Sequence, residues 1–346
     1  MAAQTSKAFH HYPVPCPCSP TLIITVARGY TRPPHLVYIH RHRRRRRRPN
    51  RVVDTHIVTV PSPMPAPVTR FAPSPTGLLH LGHAYSALVA SRFGDGYILR
   101  IDDIDHTRCR PEFTEQIYRD LEFLGLPWRG EPVFQSRRLA TYADALASLR
   151  ARDLVYPCYL TRAELAEVLA APQEAPVATD RAIPAAEAER RSEAGMSPAW
   201  RLRTDRALDL VGDLTWTDLA AKAEAGRHRP VDMSAHGDVV LARRDIGTSY
   251  HLSVVVDDSL DGVTLVTRGA DLEDSTHVHR LLQALLDLPS PAYFHHDLVR
   301  DDAGSRLAKR HDSESIQQLR RSGQSANDIA ASLPPLPESL RFGVDF

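Results

Sequence analysis

Cysteine is scarce in this chain. Only four of its 346 residues are cysteines, and two of them, Cys16 and Cys18, lie in the first 63 residues. Four cysteines cannot provide a disulfide framework for a chain of this length, so its stability must come from a buried apolar core. This usage is typical of proteins in a reducing compartment, and we expect a cytoplasmic location.

Long apolar runs are also absent. The stretch TLIITVA near the N-terminus is much shorter than the roughly 18 apolar residues that a membrane-spanning helix needs. The sequence therefore predicts no membrane partner. Hydrophobic residues make up 42% of the chain and charged residues 25%, which is typical of a soluble globular protein, and the length predicts two domains.

Acidic residues are almost missing from residues 1–63, which contain eleven lysines and arginines, nine prolines and a single acid, Asp54. The remainder of the chain has 32 basic and 41 acidic residues, so its body is acidic. Like-charge repulsion within the block RHRRRRRR (41–48) and the prolines favour disorder. The segment fits an arm that binds RNA phosphates, a targeting peptide, or an extension upstream of a true start at Met64, and we favour the last.

A regular pattern of elements begins after Met64. Short β-branched and aromatic runs predict strands, and apolar residues at helical spacing predict the helices between them. Their alternation favours an α/β fold with a parallel sheet and right-handed crossovers. Residues 171–200 show little pattern and are expected to form an irregular insertion. The predicted strands are VTRFA, YILRI, DVVLARRD, YHLSVVVDD and GVTLVTRGADL, and the predicted helices are GHAYSALVASRFG, EFTEQIYRDLEFLGL, YADALASLRARDL and THVHRLLQALLDL.

The stretch FAPSPTGLLHLGH, residues 71–83, combines prolines, glycines and histidines in the loop that leaves the first predicted strand. Ligands of open parallel sheets bind beyond the carboxyl ends of the strands, and a helix N-terminus there suits a phosphate. His80 and His83 are three residues apart on one helical face and could both donate hydrogen bonds to phosphate oxygens. Gly82 would allow close approach of a base or ribose. The alternative is a proline-rich loop followed by two histidines that only cap the helix.

Four blocks occur in the order found in one enzyme family. RFAPSPTGLLHLGHA resembles the first signature of class I glutamyl- and glutaminyl-type aminoacyl-tRNA synthetases, with His80–His83 as the HIGH motif. LRIDDIDHTRCRPEF and YHLSVVVDDSLDGVTLVTRGADL are similar to later blocks, and SRLAKRHDS is similar to a degenerate KMSKS loop. The resemblance implies a Rossmann-type catalytic domain that joins ATP to glutamate as a glutamyl-adenylate. It implies catalytic halves at 64–155 and 236–315, an inserted acceptor-like α/β subdomain at 156–235 and a short helical tail at 316–346.

The same resemblance assigns residues to the two substrates. It implies that His80, His83 and Lys309 are catalytic, and that ATP is bound by Pro73, His80, Gly82, His83, Arg306 and Lys309. Glutamate would be bound by Arg70, Ser74, Asp102, Tyr250 and Arg268, because arginines can grip its carboxylates and an acid can meet its ammonium group. The loop departs from the family pattern at Arg306 and Ala308. Taken singly, Arg70 and Arg268 also fit solvated charges at strand edges, Asp102 a turn residue and Tyr250 a core ring.

Metal ions enter the interpretation in two ways. Mg²⁺ is expected to accompany ATP. Relatives often hold a structural zinc through a Cys-x-Cys pair, but here only Cys158 is present and Leu160 stands at the second cysteine position. We therefore predict no zinc. Cys109 lies between Arg108 and Arg110, which could activate its thiol, although an idle thiol is the preferred interpretation.

The acceptor is predicted from the short tail. Only 36 residues follow Arg310, fewer than the anticodon-binding domain of a full glutamyl-tRNA synthetase needs. The resemblance therefore implies the branch of the family that activates glutamate without tRNA and transfers it to queuosine in the anticodon stem-loop of tRNA(Asp), as a monomer. The alternatives are a truncated enzyme that charges a tRNA 3′ end, a nucleotidylyltransferase with a HIGH motif, and an inactive RNA-binding paralogue.

Overall fold

The segment VTRFA forms the first strand of a parallel sheet, as its apolar alternation predicts. The computed structural model describes residues 66–161, 163–165, 183–220, 227–299 and 314–337, so the predicted leader lies outside the described residues. The strands are β1 (Thr69–Phe71), β2 (Tyr97–Ile101), β3 (Val133–Phe134), β4 (Val155–Cys158), β5 (Ala199–Leu202), β6 (Thr215–Thr217), β7 (His228–Pro230), β8 (Val240–Ala242), β9 (Leu265–Gly269) and β10 (Ala292–His296). The helices are α1 (Leu81–Phe93), α2 (Pro111–Phe123), α3 (Leu139–Ala151), α4 (Ala185–Glu193), α5 (Thr204–Val211), α6 (Tyr250–Leu260), α7 (Ser275–Leu285), α8 (Ile316–Arg321) and α9 (Ala326–Ser332).

Two groups of parallel strands form the central sheet. β1 pairs with β2 and β2 with β3, while β9 pairs with β10. The amides of Thr264 and Leu265 both donate to the carbonyl of Val68, which joins β9 to β1. Strands β1, β2, β9 and β10 therefore end at one edge of the sheet, and the strand order changes direction between β1 and β9, where such folds bind ligands. This arrangement confirms the predicted Rossmann-type α/β fold.

Helices cover the sheet because their apolar residues fall on one face. In α2, Pro111 occupies the first turn, where no amide donor is needed, and Ile117 and Leu121 are fully buried. The helix ends before Gly125, whose φ of 66° suits glycine alone without strain. One apolar core lies between the parallel strands, α1, α2 and the C-terminal helices, and a second lies around α3, α6 and α7.

The segment YHLSVVVDD is a helix, so the prediction of a strand was wrong. It forms most of α6, whose N-cap Ser249 accepts from the amide of Leu252. Residues 252 to 258 are all buried in α6. A helix buried all round has no polar stripe, so its run of three valines cannot be distinguished from a buried strand by periodicity.

The expected irregular insertion at 171–200 is partly wrong. Residues 171–182 lie outside the described residues, but residues 185–193 form α4 and β5 follows at 199–202. β5 pairs antiparallel with β4 and β8 to form a separate three-stranded sheet. None of the residues of α4 is buried, but its alanines, glutamates and arginines are good helix formers. Arg191 also ties the helix to the preceding segment by an ion pair with Glu164 at 2.6 Å. The predicted domain boundaries stay a prediction.

The C-terminal helices are attached to the start of α1. The amide of Ile316 donates to the carbonyl of Leu79 at 2.8 Å, and His80 forms an antiparallel bridge with Ser315. The hydroxyl of Tyr85 donates to the carbonyl of Pro335 at 3.2 Å. In the part of the chain that the structure describes, no helix is long and apolar enough to cross a membrane.

Candidate active site

A cavity of about 600 Å³ opens at the carboxyl ends of β1, β2, β9 and β10. Eight of the predicted site residues line it, although they are separated by up to 198 positions in sequence. Pro73 does not line the cavity; its carbonyl accepts from the amide of Asp102 at 3.1 Å and so joins the loop to the end of β2. Arg306 and Lys309 lie outside the described residues. The eight lining residues are Arg70, Ser74, His80, Gly82, His83, Asp102, Tyr250 and Arg268.

His80 and His83 form the rim of this cavity at the start of α1. His80 is the N-cap, and its Nδ1 accepts from the amide of Gly82 at 3.1 Å. The Nδ1 of His83 accepts from the amide of His80 at 3.2 Å, and the two ring centroids are 3.8 Å apart. In both neutral rings the proton is thereby placed on Nε2. The two histidines therefore do cap the helix through their Nδ1 atoms, as the alternative interpretation of the sequence proposed. This capping is compatible with a second role for the Nε2 protons.

Gly82 packs closely against this cap. A Cβ at this position would come within 3.0 Å of Cε1 and 3.1 Å of Nδ1 of His80, tighter than ordinary side-chain contacts. Any other residue would therefore press on the capping ring. The structure thus provides a packing reason for the glycine at position 82. This reason is additional to the close approach of a nucleotide that the sequence led us to expect.

A buried network of charges forms the floor of the cavity. Asp258 of α6 receives Arg70 Nε at 3.1 Å and Arg100 Nη1 at 2.6 Å, and Arg100 Nε also donates to Asp102 at 2.8 Å. All four side chains are at most 9% exposed. Burial acts to raise the pKa of Asp258, but the two arginines hold it below its ordinary value. Arg70 is therefore a buried, paired cation, not the solvated strand-edge charge that was the alternative.

Asp102 differs from Asp258 because its charge is only partly compensated. Burial raises the pKa of Asp102 to about 6, although Arg100 opposes the shift. The carboxyl group of Asp102 is therefore ionised at neutral pH, but its pKa lies only slightly below that pH. A cationic ligand would strongly stabilise the ionised form of such a buried carboxylate.

Arg268 lies at the end of β9 and is surrounded by neutral groups. Its three nitrogens donate to His295 Nε2 at 3.2 Å, His279 Nδ1 at 3.1 Å and Thr276 Oγ1 at 2.6 Å. Arg268 is 5% exposed, so it too is not a solvated strand-edge charge. Within the described segments no carboxylate forms an ion pair with it.

Tyr250 stands at the start of α6 and lines two cavities. It is 36% exposed, so the alternative of a core ring is wrong. The second cavity has a volume of about 330 Å³ and also shares Ser74, Thr76, Asp102 and Arg108 with the first. Beyond these, the second cavity is lined by residues that include Ile246 and Ser249.

Ser86 and His296 are among the lining residues that the sequence reasoning missed. Ser86 Oγ lies 3.0 Å from His296 Nε2, and both line the first cavity. Ser86 could have been found, because it follows His83 by three positions on the same helical face. His296 ends β10, a strand that was not predicted although a parallel sheet requires one after α7.

Of the two cysteines in the described residues, neither shows a sign of reactivity. Burial raises the pKa of the Cys109 thiol, aided by Asp103 and Asp105, so the possible activation by flanking arginines is not observed. Arg108 instead pairs with Asp105 at 2.8 Å. Cys158 is buried against Tyr156 and Leu160. Among the residues that the structure describes, no three His, Cys, Asp or Glu side chains are placed to hold a metal ion, and the absence of zinc stays a prediction.

Comparison with known proteins gives a consistent result. Residues 67–333 match the family model described as tRNA synthetases class I (E and Q), catalytic domain. The chain is 46% identical to the glutamyl-Q tRNA(Asp) synthetase of Rhodobacter capsulatus over 275 residues, which cover 76% of this chain and 98% of that protein. It is 36% identical to glutamate–tRNA ligase 1 of Methylococcus capsulatus, with 75% and 57% of the two chains covered. A crystal structure of a glutamate tRNA ligase from Elizabethkingia meningosepticum in complex with its amino acid has a TM-score of 0.59 at 25% identity, with 75% and 53% covered.

The charge network predicts a large loss of stability when its centre is removed. Asp258→Asn keeps the shape of the side chain but leaves buried Arg70 without its counter-charge and removes one of the carboxylates that pair with Arg100. We therefore expect the free energy of unfolding to fall by about 3 kcal/mol. Urea denaturation measures this change. The control is Asp245→Asn, which breaks the partly exposed pair with Arg243 and should change stability by less than about 1 kcal/mol. Equal effects of the two substitutions would contradict the assignment of the network as a structural centre.

Proposed function

Because this chain belongs to the class I tRNA synthetases of the glutamate and glutamine type, we propose that it activates L-glutamate with ATP and transfers the glutamyl group to queuosine in the anticodon loop of tRNA(Asp). The observation that carries the proposal is the convergence of eight predicted residues on one cavity at the switch point of the sheet. The relative from R. capsulatus, whose name specifies this acceptor, matches over almost its whole length.

ATP is a substrate of this family, and the start of α1 is the part of the cavity that suits its phosphates. The dipole of α1 and the Nε2 protons of His80 and His83 supply positive potential at this rim. A carboxylate oxygen of glutamate attacks the α-phosphorus, pyrophosphate leaves, and these donors stabilise the charge that develops on the phosphate oxygens. Lys309 would add a mobile positive charge, and Mg²⁺ would accompany the triphosphate.

Glutamate fits the opposite side of the cavity. Asp102 would bind the ammonium group, with Ser74 and Tyr250 beside it and Arg70 close to the α-carboxylate. That carboxylate loses its charge when the adenylate forms, whereas the side-chain carboxylate remains ionised. Arg268, which three acceptors hold in place, is therefore suited to bind the side-chain carboxylate of glutamate, because the charge of that group persists.

The second cavity offers a place for the acceptor nucleoside. It adjoins the glutamate side and shares Asp102 and Tyr250 with it. A hydroxyl group of queuosine entering there would attack the carbonyl carbon of the adenylate, and AMP would leave toward the ATP side. We further propose that the protein acts as a monomer.

Isotope exchange tests the first half of the reaction. We expect glutamate-dependent exchange of labelled pyrophosphate into ATP, and labelled glutamate should then appear in tRNA(Asp) that contains queuosine but not in tRNA(Asp) that lacks it. Lys309→Ala should lower the exchange about 100-fold with an unchanged melting temperature, and Lys309→Arg should retain more activity. Label at the 3′ end of tRNA(Glu) would favour the charging alternative. Absence of exchange with every amino acid would favour the inactive RNA-binding paralogue.

The pKa of Asp102 predicts a pH dependence. Only the ionised carboxylate binds an ammonium group, so kcat/KM for glutamate in the exchange reaction should be constant above about pH 7 and fall as the pH drops through about 6. Near pH 5 we expect a decrease of about tenfold. Asp102→Asn should have a low kcat/KM without this inflection. An unchanged profile in that variant would show that another group titrates.

A bulky residue in the second cavity should separate the two halves of the reaction. Ile246 lines the second cavity and not the first. Ile246→Trp would fill space that the nucleoside needs, so transfer to tRNA(Asp) should decrease at least tenfold, by about 1.4 kcal/mol of transition-state binding or more, while exchange stays normal. Ile246→Val is the control and should leave both steps intact. Normal transfer by the tryptophan variant would place the acceptor elsewhere.

A further inference from the structure

We propose that Thr276, His279 and His295 form a neutral cradle that fixes the guanidinium of Arg268 without neutralising it, and that these three positioning residues set the selection of glutamate over uncharged analogues. This inference rests on the proposed function, because it concerns how that glutamate site obtains its specificity. The three cradle residues are 8% exposed or less.

The direction of each hydrogen bond in the cradle is fixed by Arg268. A guanidinium can only donate, so His279 Nδ1 and His295 Nε2 must both accept. The proton of His279 is then on Nε2, which donates to His251 Nδ1 at 3.2 Å. Thr276 Oγ1 accepts from Arg268 and lies 3.1 Å from His295 Nε2, so its hydroxyl proton shares the single lone pair of that nitrogen with Arg268 Nε. Both imidazoles are neutral in this arrangement, because a second ring proton would point at a cation.

The environment of the two rings keeps them in that state. Burial lowers the pKa of His295 to about 3 and that of His279 well below its ordinary value, and Arg268 adds to both effects. The aromatic face of Tyr293 lies 5.4 Å from the guanidinium carbon of Arg268, a contact that favours a cation without removing its charge. The positive charge of Arg268 is therefore held only by dipoles and a ring.

The other buried arginines of the described chain have carboxylate partners. Arg70 and Arg100 share Asp258, and Arg100 also pairs with Asp102. Arg268 is the one buried arginine in the described segments for which no carboxylate partner is found. Burying a cation without a counter-charge is unfavourable. A ligand carboxylate that pairs with Arg268 would therefore be bound by an ion pair that no protein carboxylate already satisfies in the described segments.

The hydrogen-bond count leaves the groups that such a ligand needs. A guanidinium has five N–H groups, and one from each nitrogen is used within the cradle. One N–H remains on each of the two terminal nitrogens of Arg268, which borders the first cavity. Two N–H groups on neighbouring nitrogens match the two oxygens of a carboxylate, whereas an amide presents one oxygen and an NH₂ group that opposes them.

Matched substitutions test the cradle. Thr276→Val and His279→Leu remove an acceptor at similar volume, whereas Thr276→Ser and His279→Gln keep one. We expect the first pair to raise KM for glutamate about tenfold and to reduce the preference for glutamate over glutamine by a similar factor. At saturating glutamate, kcat and KM for ATP should stay within about threefold in pyrophosphate exchange. The acceptor-retaining pair should stay close to the wild type in all these values.

Calorimetric titration with glutamate alone distinguishes failure of this inference from failure of the proposed function. Wild-type protein that binds glutamate but does not exchange pyrophosphate would overturn the proposed function, and the cradle would still be tested by the dissociation constants of the four variants. Unchanged KM, dissociation constant and glutamine discrimination in Thr276→Val and His279→Leu would overturn the cradle. Equal losses in both pairs, accompanied by lower melting temperatures, would overturn it as well, since they would show a packing role only. Wild-type protein that neither binds nor exchanges glutamate would overturn both.

Discussion

The central constraint on this structure is the shared use of one carboxylate, Asp258, by two buried arginines. Arg70 comes from β1, Arg100 from β2 and Asp258 from α6, so the pairing fixes the helix against the ends of two strands. Burying a cation is costly unless its charge is matched, and Asp258 supplies that match for both Arg70 and Arg100. These two arginines can therefore line the first cavity because the network holds them in place and compensates their charge.

The two sides of the first cavity obtain positive potential by different physical means. At the start of α1 it comes from peptide dipoles and imidazole protons, which are weak individually and are oriented by the histidine cap. On the side of β9 it comes from a full charge, that of Arg268, surrounded by neutral acceptors. The dipolar side suits a phosphate whose charge changes during the reaction, and the charged side suits a group whose charge stays constant.

Much of the candidate site could be predicted from the sequence, because its motifs follow directly after strands and parallel strands end together. Arg70, Asp102 and Arg268 were assigned by the resemblance to the synthetase family, whereas the pairing of His80 and His83 follows from their shared helical face. The sheet rule explains why residues near the ends of different parallel strands meet in one cavity. Their partners could not be predicted. Asp258 is 188 positions from Arg70, and no local pattern connects His279 with Arg268. The helix α6 was misread because complete burial removes the polar stripe by which helices are recognised.

The attachment of the C-terminal helices to the start of α1 has a consequence for the far end of the chain. None of the described lining residues of the first cavity comes from residues 314–337, yet Ile316 and Ser315 are bonded to Leu79 and His80 at its rim. A truncation, fusion or protease cut near this terminus is therefore expected to change the position of the histidine motif, because main-chain hydrogen bonds connect the two. The C-terminal helices thus stabilise the rim at His80 by main-chain hydrogen bonds, and a change in these helices is expected to alter the shape of that rim.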